Sequence, residues 1–474
     1  MLARAARGAA RRRAAPEVGG QRWIVRNARS LRGRAQSALG RHAECRRGGG
    51  AGGGGGMAAA GRRANHAQSV AVAHDMPPEE LLFSSLGLDR LMPDETDDAA
   101  RRMLSFEASE KLAEIARAAD ARAPATVCPR AEREAFNGLY ESLARDVEAD
   151  VAALGLPAHS REWIAHMFDY TTRGGKMTRG LMVPQIVQAI GPVTEASLHQ
   201  ARVVGWCIEV LQAAFLVVDD VLDQAEMRRG QAAYYRLPQV GMKAVNDGLL
   251  LESIVFRLLR RHLRDHPGYL ELAELFRETI FVTECGQLMD LTAPPSSVEE
   301  LEARFTPEEY GKMVQCKTSH YTFYLPVACG MHLAAAATPA ALDEARSVCD
   351  AIGEYFQVQD DYLDCFGRAE LTGKGSTDIA ERKCSWLAVT ALDLARSSPE
   401  PAALRNLQQG LVDGDTAAVK AMYEELGVRE AYEAYEESSV ASIRHALGGE
   451  GVAALAPART VLEPLLDKLY KRSK

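Results

Sequence analysis

Two stretches of the chain carry three aspartates each at one spacing: Asp219, Asp220 and Asp223, and Asp360, Asp361 and Asp364. Both read D-D-x-x-D. In a helix, residues four apart share a face, so Asp219 pairs with Asp223 and Asp360 with Asp364. Parallel carboxylates repel unless a cation sits between them. Hard oxygen donors with no His or Cys at hand select Mg²⁺, which keeps several waters and takes phosphate oxygens as further ligands. One such triplet alone reads best as a solvated acidic face. Here each follows an apolar run, Ala213 to Val218 in one case and Tyr355 to Val358 in the other, and burying unpaired carboxylates is very costly. Two such triplets, 141 residues apart, predict helices that face each other across a cavity and clamp a diphosphate through Mg²⁺.

A diphosphate site also needs fixed cations. Arg228-Arg229-Gly230 follows the first triplet by five residues. A glycine turn, Gly174-Gly175-Lys176-Met177-Thr178-Arg179-Gly180, offers Lys176 and Arg179. Lys317-Thr318 falls in a helical stretch, Lys374 comes ten residues after the second triplet, and Lys383, Lys471 and Arg472 complete the set. Any one of these reads alone as a surface base; their association with glycine turns and aspartate triplets singles them out. Gly373-Lys374 is not a nucleotide-binding P-loop, because Arg368 stands where its first glycine belongs and Gly375 where Ser or Thr is required.

The elements that must position these groups are helices. From about Glu132 onward, apolar residues recur at i, i+3, i+4 and i+7, as in Leu250, Ile254 and Leu258, with breaks at Gly191-Pro192, Pro267-Gly268 and Pro294-Pro295. Strand-like alternation is scarce. This predicts one all-α domain over 130–474, a single large helical bundle of about ten helices around a central cavity.

The net charge of −8 is unevenly spread: residues 1–63 carry +13 and the remaining 411 carry −21. So acidic a body excludes a general nucleic-acid binder. No run of about 18 uncharged apolar residues exists, which argues against a transmembrane segment; the most apolar window, Val203 to Val218, is broken by Glu209 and Gln212. The nine cysteines form no C-x-x-C pair, so a zinc ribbon or redox dithiol is not expected. Residues 1–56 are an Arg/Ala/Gly-rich arm ending in a glycine linker, expected to be disordered and to act as a mitochondrial targeting segment. Initiation at Met57 or later would leave a cytoplasmic protein. Residues 57–129 read as a partly helical extension without chemistry.

In their order, the motifs GGKMTRG, LQAAFLVVDDVLD with RRG, TECGQLMDLTAP, CKTSHYTFYLP, FQVQDDYLDCFG, TGKGSTDI and KCSWL resemble those of the trans-isoprenyl diphosphate synthases, and most closely the farnesyl diphosphate synthase group. The resemblance covers 130–474. It implies the isoprenoid-synthase helical fold, a homodimer, and three Mg²⁺ ions, with Mn²⁺ as a substitute, on the two triplets. It implies that Lys317, Lys374 and Arg228 hold the diphosphate of a dimethylallyl or geranyl substrate, with Lys383 nearby. It implies that Thr318 and Gln357 stabilise the allylic cation, and that Lys176, Arg179, Gln212, Arg229 and Arg472 hold isopentenyl diphosphate. Ala214 and Phe215 occupy the product-length positions, where the group usually carries two aromatics; Ala214 opens a path that Phe215 closes. The expected product is farnesyl diphosphate. The alternatives are a geranylgeranyl or geranyl diphosphate synthase, or a terpene synthase built on the same fold.

Overall fold

The computed structural model describes residues 130–367, 377–448 and 455–470. The expected arm and extension before residue 130, and the predicted site residues Lys374, Lys471 and Arg472, lie outside them. The described chain is helical, as its periodicity predicts. Five helices lead to the first triplet: α1 (Arg130–Gly138), α2 (Tyr140–Ala153), α3 (Ala158–Thr172), α4 (Thr178–Ile190) and α5 (Glu195–Leu222). Thr194 starts α5 with a reciprocal cap: its hydroxyl accepts from the Ser197 amide at 3.1 Å, and the Ser197 hydroxyl accepts from the Thr194 amide at 2.9 Å. By length and composition α5 could cross a membrane, which the sequence reading did not anticipate. It is instead a core helix, with 72% of its most apolar window buried in the fold.

After α5 a two-stranded hairpin, β1 (Met227–Arg228) and β2 (Gln231–Ala232), pairs Met227 with Ala232 and Arg228 with Gln231. Its two turn residues, Arg229 and Gly230, both have positive φ, 54° and 79°, as a type I′ turn demands. Then come α6 (Ala244–Leu263), α7 (Tyr269–Thr292), α8 (Val298–Arg304) and α9 (Pro307–Val314). Lys317-Thr318 was expected in an ordinary helix. The chain instead runs as a π-helix over Gln315–Tyr324 before α10 (Leu325–Leu333), a widened turn of the kind found at functional sites. α11 (Pro339–Phe366) carries the second triplet and stops at Gly367. α12 (Trp386–Arg396), α13 (Pro401–Asp413), α14 (Thr416–Glu425), α15 (Val428–Gly448) and α16 (Ala456–Leu469) follow.

Glycines set the closest helix contacts. α4 crosses α5 at Gly180 and Gly205, where a methyl on Gly205 would lie 2.2 Å from the Gly180 carbonyl oxygen. The π-helix is gripped from two sides: a methyl on Gly286 of α7 would lie 2.2 Å from the Lys317 amide nitrogen, and one on Gly353 of α11 would lie 2.2 Å from the Ser319 hydroxyl. Two apolar cores fill the domain. One contains Phe136 stacked on Trp206, ring centres 5.1 Å apart; the other includes Tyr310 of α9 and Tyr355 of α11, both fully buried.

Candidate active site

The C-terminal end of α5 and the C-terminal part of α11 meet at a cleft of about 770 Å³. Its walls include Asp219 and Asp360 from the two triplets, Arg228 and Arg229 from the hairpin, Lys317 and Thr318 from the π-helix, and Gln357. Arg179, Gln212, Ala214 and Phe215 line the same cleft. Most of the residues singled out from sequence are therefore gathered into one place.

The triplets are not uniform. Asp219 faces cations and donors: Gln287 Nε2 donates to it at 3.0 Å, with Lys317 Nζ at 3.7 Å and Arg228 at 3.6 Å. Asp223 pairs with Lys383 at 3.0 Å. Asp220, between them, is buried at 2% exposure and accepts from Arg228 Nε at 2.9 Å. The second triplet divides likewise. Asp360 lines the cleft. Asp364 accepts from the backbone amides of Thr377 and Asp378 at 3.3 and 3.2 Å. Asp361 is buried and held by the Tyr310 hydroxyl at 2.8 Å, the Trp386 amide at 2.8 Å and Gln357 Nε2 at 3.0 Å. Burial raises the Asp361 carboxyl to about 6, and these three donors limit the rise.

A hydrogen-bonded chain joins this anchor to the cleft: Thr318 donates to Gln357 Oε1 at 2.7 Å, and Gln357 donates to Asp361. Thr318 and Gln357 are thus fixed before substrate arrives. Lys317 is fixed by Asp290 at 2.5 Å. Burial alone would lower the Lys317 ammonium, but Asp290 and Asp219 outweigh it and hold it above the ordinary lysine value. Lys383 shows the same balance, with burial opposed by Asp290, Asp223 and Glu381. Both lysines therefore stay charged.

A second basic group lies at the N-terminus of α4. Arg179 donates to Gln212 Oε1 at 3.1 Å, Tyr321 Oη at 3.1 Å and Thr322 Oγ1 at 2.9 Å, and its guanidinium lies over the Tyr321 ring at 4.7 Å. Arg229 is anchored on the carbonyl oxygens of Arg173, at 2.9 Å, and Thr171, at 3.3 Å. A methyl on Gly175 would meet the Arg229 guanidinium carbon at 3.2 Å, so that glycine makes room for it. Lys176 is exposed on the same loop. Tyr321 also packs edge-on against Phe215, ring centres 5.5 Å apart, which links this basic group to the product-length position.

Among the described residues, no three His, Cys, Asp or Glu groups form a preformed metal cluster; Asp219 and Asp223 face lysine and arginine, and Asp364 accepts from backbone amides. The donor chemistry nevertheless fits Mg²⁺. The triplets supply hard carboxylate oxygens on opposite sides of one cleft, and Mg²⁺ draws its remaining ligands from water and phosphate. Sequence reasoning left Gln287, Asp290 and Tyr321 unassigned. Gln287 and Asp290 stand in the GQLMD run, and nothing in their spacing alone tied them to the triplets. Asp378, raised well above the usual carboxylate range by burial and then by Asp364 and Asp361, stands in the TGKGSTDI motif but was given no role there.

Helices bearing paired aspartate triplets around a deep cleft define a class. Residues 161–426 match the polyprenyl synthetase family, and the chain belongs to it. It is 39% identical to the farnesyl pyrophosphate synthase of Saccharomyces cerevisiae over 350 residues, covering 72% of this chain and 98% of the yeast protein. It is 40% identical to the mitochondrial farnesyl pyrophosphate synthase 1 of Arabidopsis thaliana over 346 residues, covering 72% and 88%. Among solved structures, the T. brucei farnesyl diphosphate synthase complexed with risedronate superposes with a TM-score of 0.66 at 31% identity, covering 72% of this chain and all of that one.

Proposed function

We propose that this chain is a Mg²⁺-dependent prenyltransferase that condenses isopentenyl diphosphate with dimethylallyl or geranyl diphosphate to give farnesyl diphosphate. The observation that carries this reading is the cleft itself. It unites Asp219 and Asp360, suited to a metal-bound allylic diphosphate, with Arg179, Gln212 and Arg229, suited to a second diphosphate. A terpene synthase needs only the first set. Residues 130–474 form the catalytic domain in this reading.

Asp219, Asp223, Asp360 and Asp364 would hold Mg²⁺, or Mn²⁺ in its place, while Asp220 and Asp361 brace the hairpin and the Gln357 network. Bound Mg²⁺ supplies Lewis-acid charge to the departing diphosphate. Lys317, Lys383 and Arg228 add fixed positive charge at the same oxygens, with Lys374 as a further contributor. As the C1–O bond of the allylic substrate breaks, its electron pair leaves with pyrophosphate. The Thr318 hydroxyl and Gln357 carbonyl oxygens stabilise the allylic cation. Isopentenyl diphosphate, held by Lys176, Arg179, Gln212, Arg229 and Arg472, attacks C1 through its double bond. The proton lost from the new cation passes to pyrophosphate. Preorganised charge of this kind is commonly the largest catalytic contribution.

Full-length protein with Mg²⁺, isopentenyl diphosphate and geranyl diphosphate tests this. A C15 alcohol after dephosphorylation is expected. A C20 product overturns the chain-length assignment, and the absence of any elongated product overturns the prenyltransferase reading. The homodimer expected of the family has an apolar surface to use, since Leu249 on α6 and Phe281 and Leu288 on α7 are exposed; elution as a monomer in gel filtration rejects it. The basic arm supports mitochondrial import when translated, and a fluorescent fusion of residues 1–60 that stays cytosolic rejects that.

A further inference from the structure

The hairpin that presents Arg228 and Arg229 has only two residues in each strand. So short a two-stranded ribbon does not hold its own shape in water, and its geometry is set by what anchors it. Arg228 carries its own anchor, the buried Asp220, at 2.9 Å. Arg229 stands at the turn, where its Nη1 reaches the carbonyl oxygens of Thr171 and Arg173 at the end of α3. Other contacts hold the foot of the hairpin. The Tyr170 hydroxyl donates to the Ala232 carbonyl oxygen at 2.8 Å, and the Ala233 amide donates to the Glu226 carbonyl oxygen at 2.9 Å. Just past β2, the Tyr234 hydroxyl donates to Asp247 Oδ2 at 3.0 Å. Asp247 lies on α6 at 2% exposure, and it also accepts from Nε1 of Trp163, on α3, at 3.0 Å. One buried carboxylate therefore joins α3, α6 and the foot of the hairpin. Both of these donors are neutral, and a buried carboxylate served by neutral donors is a poor source of stability, which points to position as its use. Burial and then Asp247 raise the Tyr234 phenol above its ordinary value, so it remains a donor.

We propose that Tyr234, hydrogen-bonded to Asp247, is a positioning residue for Arg229 and so for the binding of isopentenyl diphosphate. This rests on the assignment of Arg229 to that diphosphate. With Nη1 committed to two carbonyl oxygens, Arg229 keeps Nε and Nη2 to present to an anion from the cleft wall that it lines. Those donors meet the anion only while the turn stays over the end of α3. The Tyr234–Asp247 bond fixes how the chain leaves β2, five residues after Arg229, and it does so against α6 and α3. Arg228 does not depend on that bond, because Asp220 holds its guanidinium directly. The two adjacent arginines are thus braced differently, one by its own carboxylate and the other by a carboxylate reached through Tyr234.

Tyr234→Phe removes the hydroxyl and keeps the ring. Steady-state kinetics on the full-length chain with Mg²⁺, varying isopentenyl and geranyl diphosphate separately, should show KM for isopentenyl diphosphate raised about fivefold, the size of one ordinary hydrogen bond, and KM for geranyl diphosphate unchanged. Trp163→Phe is the control for a merely structural role. It takes the other donor from Asp247 without touching the hairpin, so it should lower Tm by a similar amount and leave both KM values unchanged. In an Arg229→Ala background the effect of Tyr234→Phe on KM for isopentenyl diphosphate should vanish, because the residue it positions is gone. The proposal is overturned if Tyr234→Phe leaves that KM within about twofold of wild type, if Trp163→Phe raises it as much, or if the full effect persists without Arg229. A wild-type chain that uses no isopentenyl diphosphate overturns the site assignment and the proposal together; with an active wild type, the variants judge the proposal alone.

Discussion

The grip of Gly286 on the π-helix predicts that one added methyl group uncouples activity from stability. In Gly286→Ala the new carbon would stand 2.2 Å from the Lys317 amide nitrogen and 2.6 Å from its Cα. Unbonded heavy atoms settle at about 3.5–4.0 Å. The shortfall exceeds about 1 Å, and the opposing atoms are backbone, which cannot rotate away. α7 and the π-helix must therefore separate. That shift falls on the 2.5 Å Lys317–Asp290 pair and the 2.7 Å Thr318–Gln357 hydrogen bond, and about 1 Å of lengthening takes the second beyond hydrogen-bond range. A misplacement of that size costs about 10²-fold in rate. Overpacking costs about 1–3 kcal/mol, while replacing a helical glycine with alanine returns about 1 kcal/mol, so the net loss of stability is only about 0–2 kcal/mol. The matched control is Gly311→Ala on α9, where a methyl meets nothing within 4 Å; wild-type kcat and an unchanged or slightly raised Tm are expected there. The assay is kcat for condensation beside Tm for each variant. A Gly286→Ala enzyme with kcat within threefold of wild type would refute the argument that the π-helix is positioned by this contact.

Asp219→Ala should lose at least about 10³-fold in kcat with little change in Tm, because its side chain stands at the cleft wall, 22% exposed; near-normal turnover in saturating Mg²⁺ would sink the metal assignment. Ala214→Phe should shorten the product, since Ala214 lines the cleft beside Phe215; an unchanged product distribution would place the stop elsewhere. His320 is buried in the π-helix and accepts from Arg346 at 3.2 Å, and burial, then Arg346 and Lys312, depress its pKa to about 3. Its folded value lies below the unfolded one, so the unfolded state takes up the proton first and stability falls as pH drops below about 6.5, by about 1.4 kcal/mol per pH unit from this group. Denaturant titrations from pH 7 to 4.5 should show a shallower loss in His320→Gln than in wild type, and parallel curves would contradict the assignment.

What sequence could show was whatever periodicity and repetition encode. The triplets stood out because two identical patterns ended two apolar runs, and the glycine turn and Arg228-Arg229-Gly230 stood out as basic residues in tight turns. The hairpin explains the second case, since Arg229 and Gly230 are its two positive-φ residues. Solitary partners were not legible. Asp290 reads as one more acid on α7, and only the fold sets it 2.5 Å from Lys317. The glycines at 286 and 353 read as weak points in helices, because glycine's signal is local whereas its reason lies on the facing chain. The π-helix was illegible for the same cause: its register is imposed by two close approaches from α7 and α11, not by residue preference. Glu209 was read only as a break in an apolar window. Its partner, the Gly180 amide, carries no side chain to announce it.

The division of labour within each triplet follows from helix geometry. Successive residues are about 100° apart around the axis, and a step of four residues returns to within about 40°. A carboxylate directed into the cleft at the first position therefore brings the fourth-following one near the same face, and the residue between must turn aside into the protein. Asp220 and Asp361 do so, and each finds charged or hydrogen-bonding partners there, Arg228 for one and Tyr310, Trp386 and Gln357 for the other. The doubled aspartate is not a surplus of charge at one site. Its second member fixes the elements beside the cleft: the hairpin that brings Arg228 and Arg229, and the glutamine that orients Thr318. A pattern that reads as six equivalent carboxylates thus builds a cleft wall and the braces behind it from the same residues.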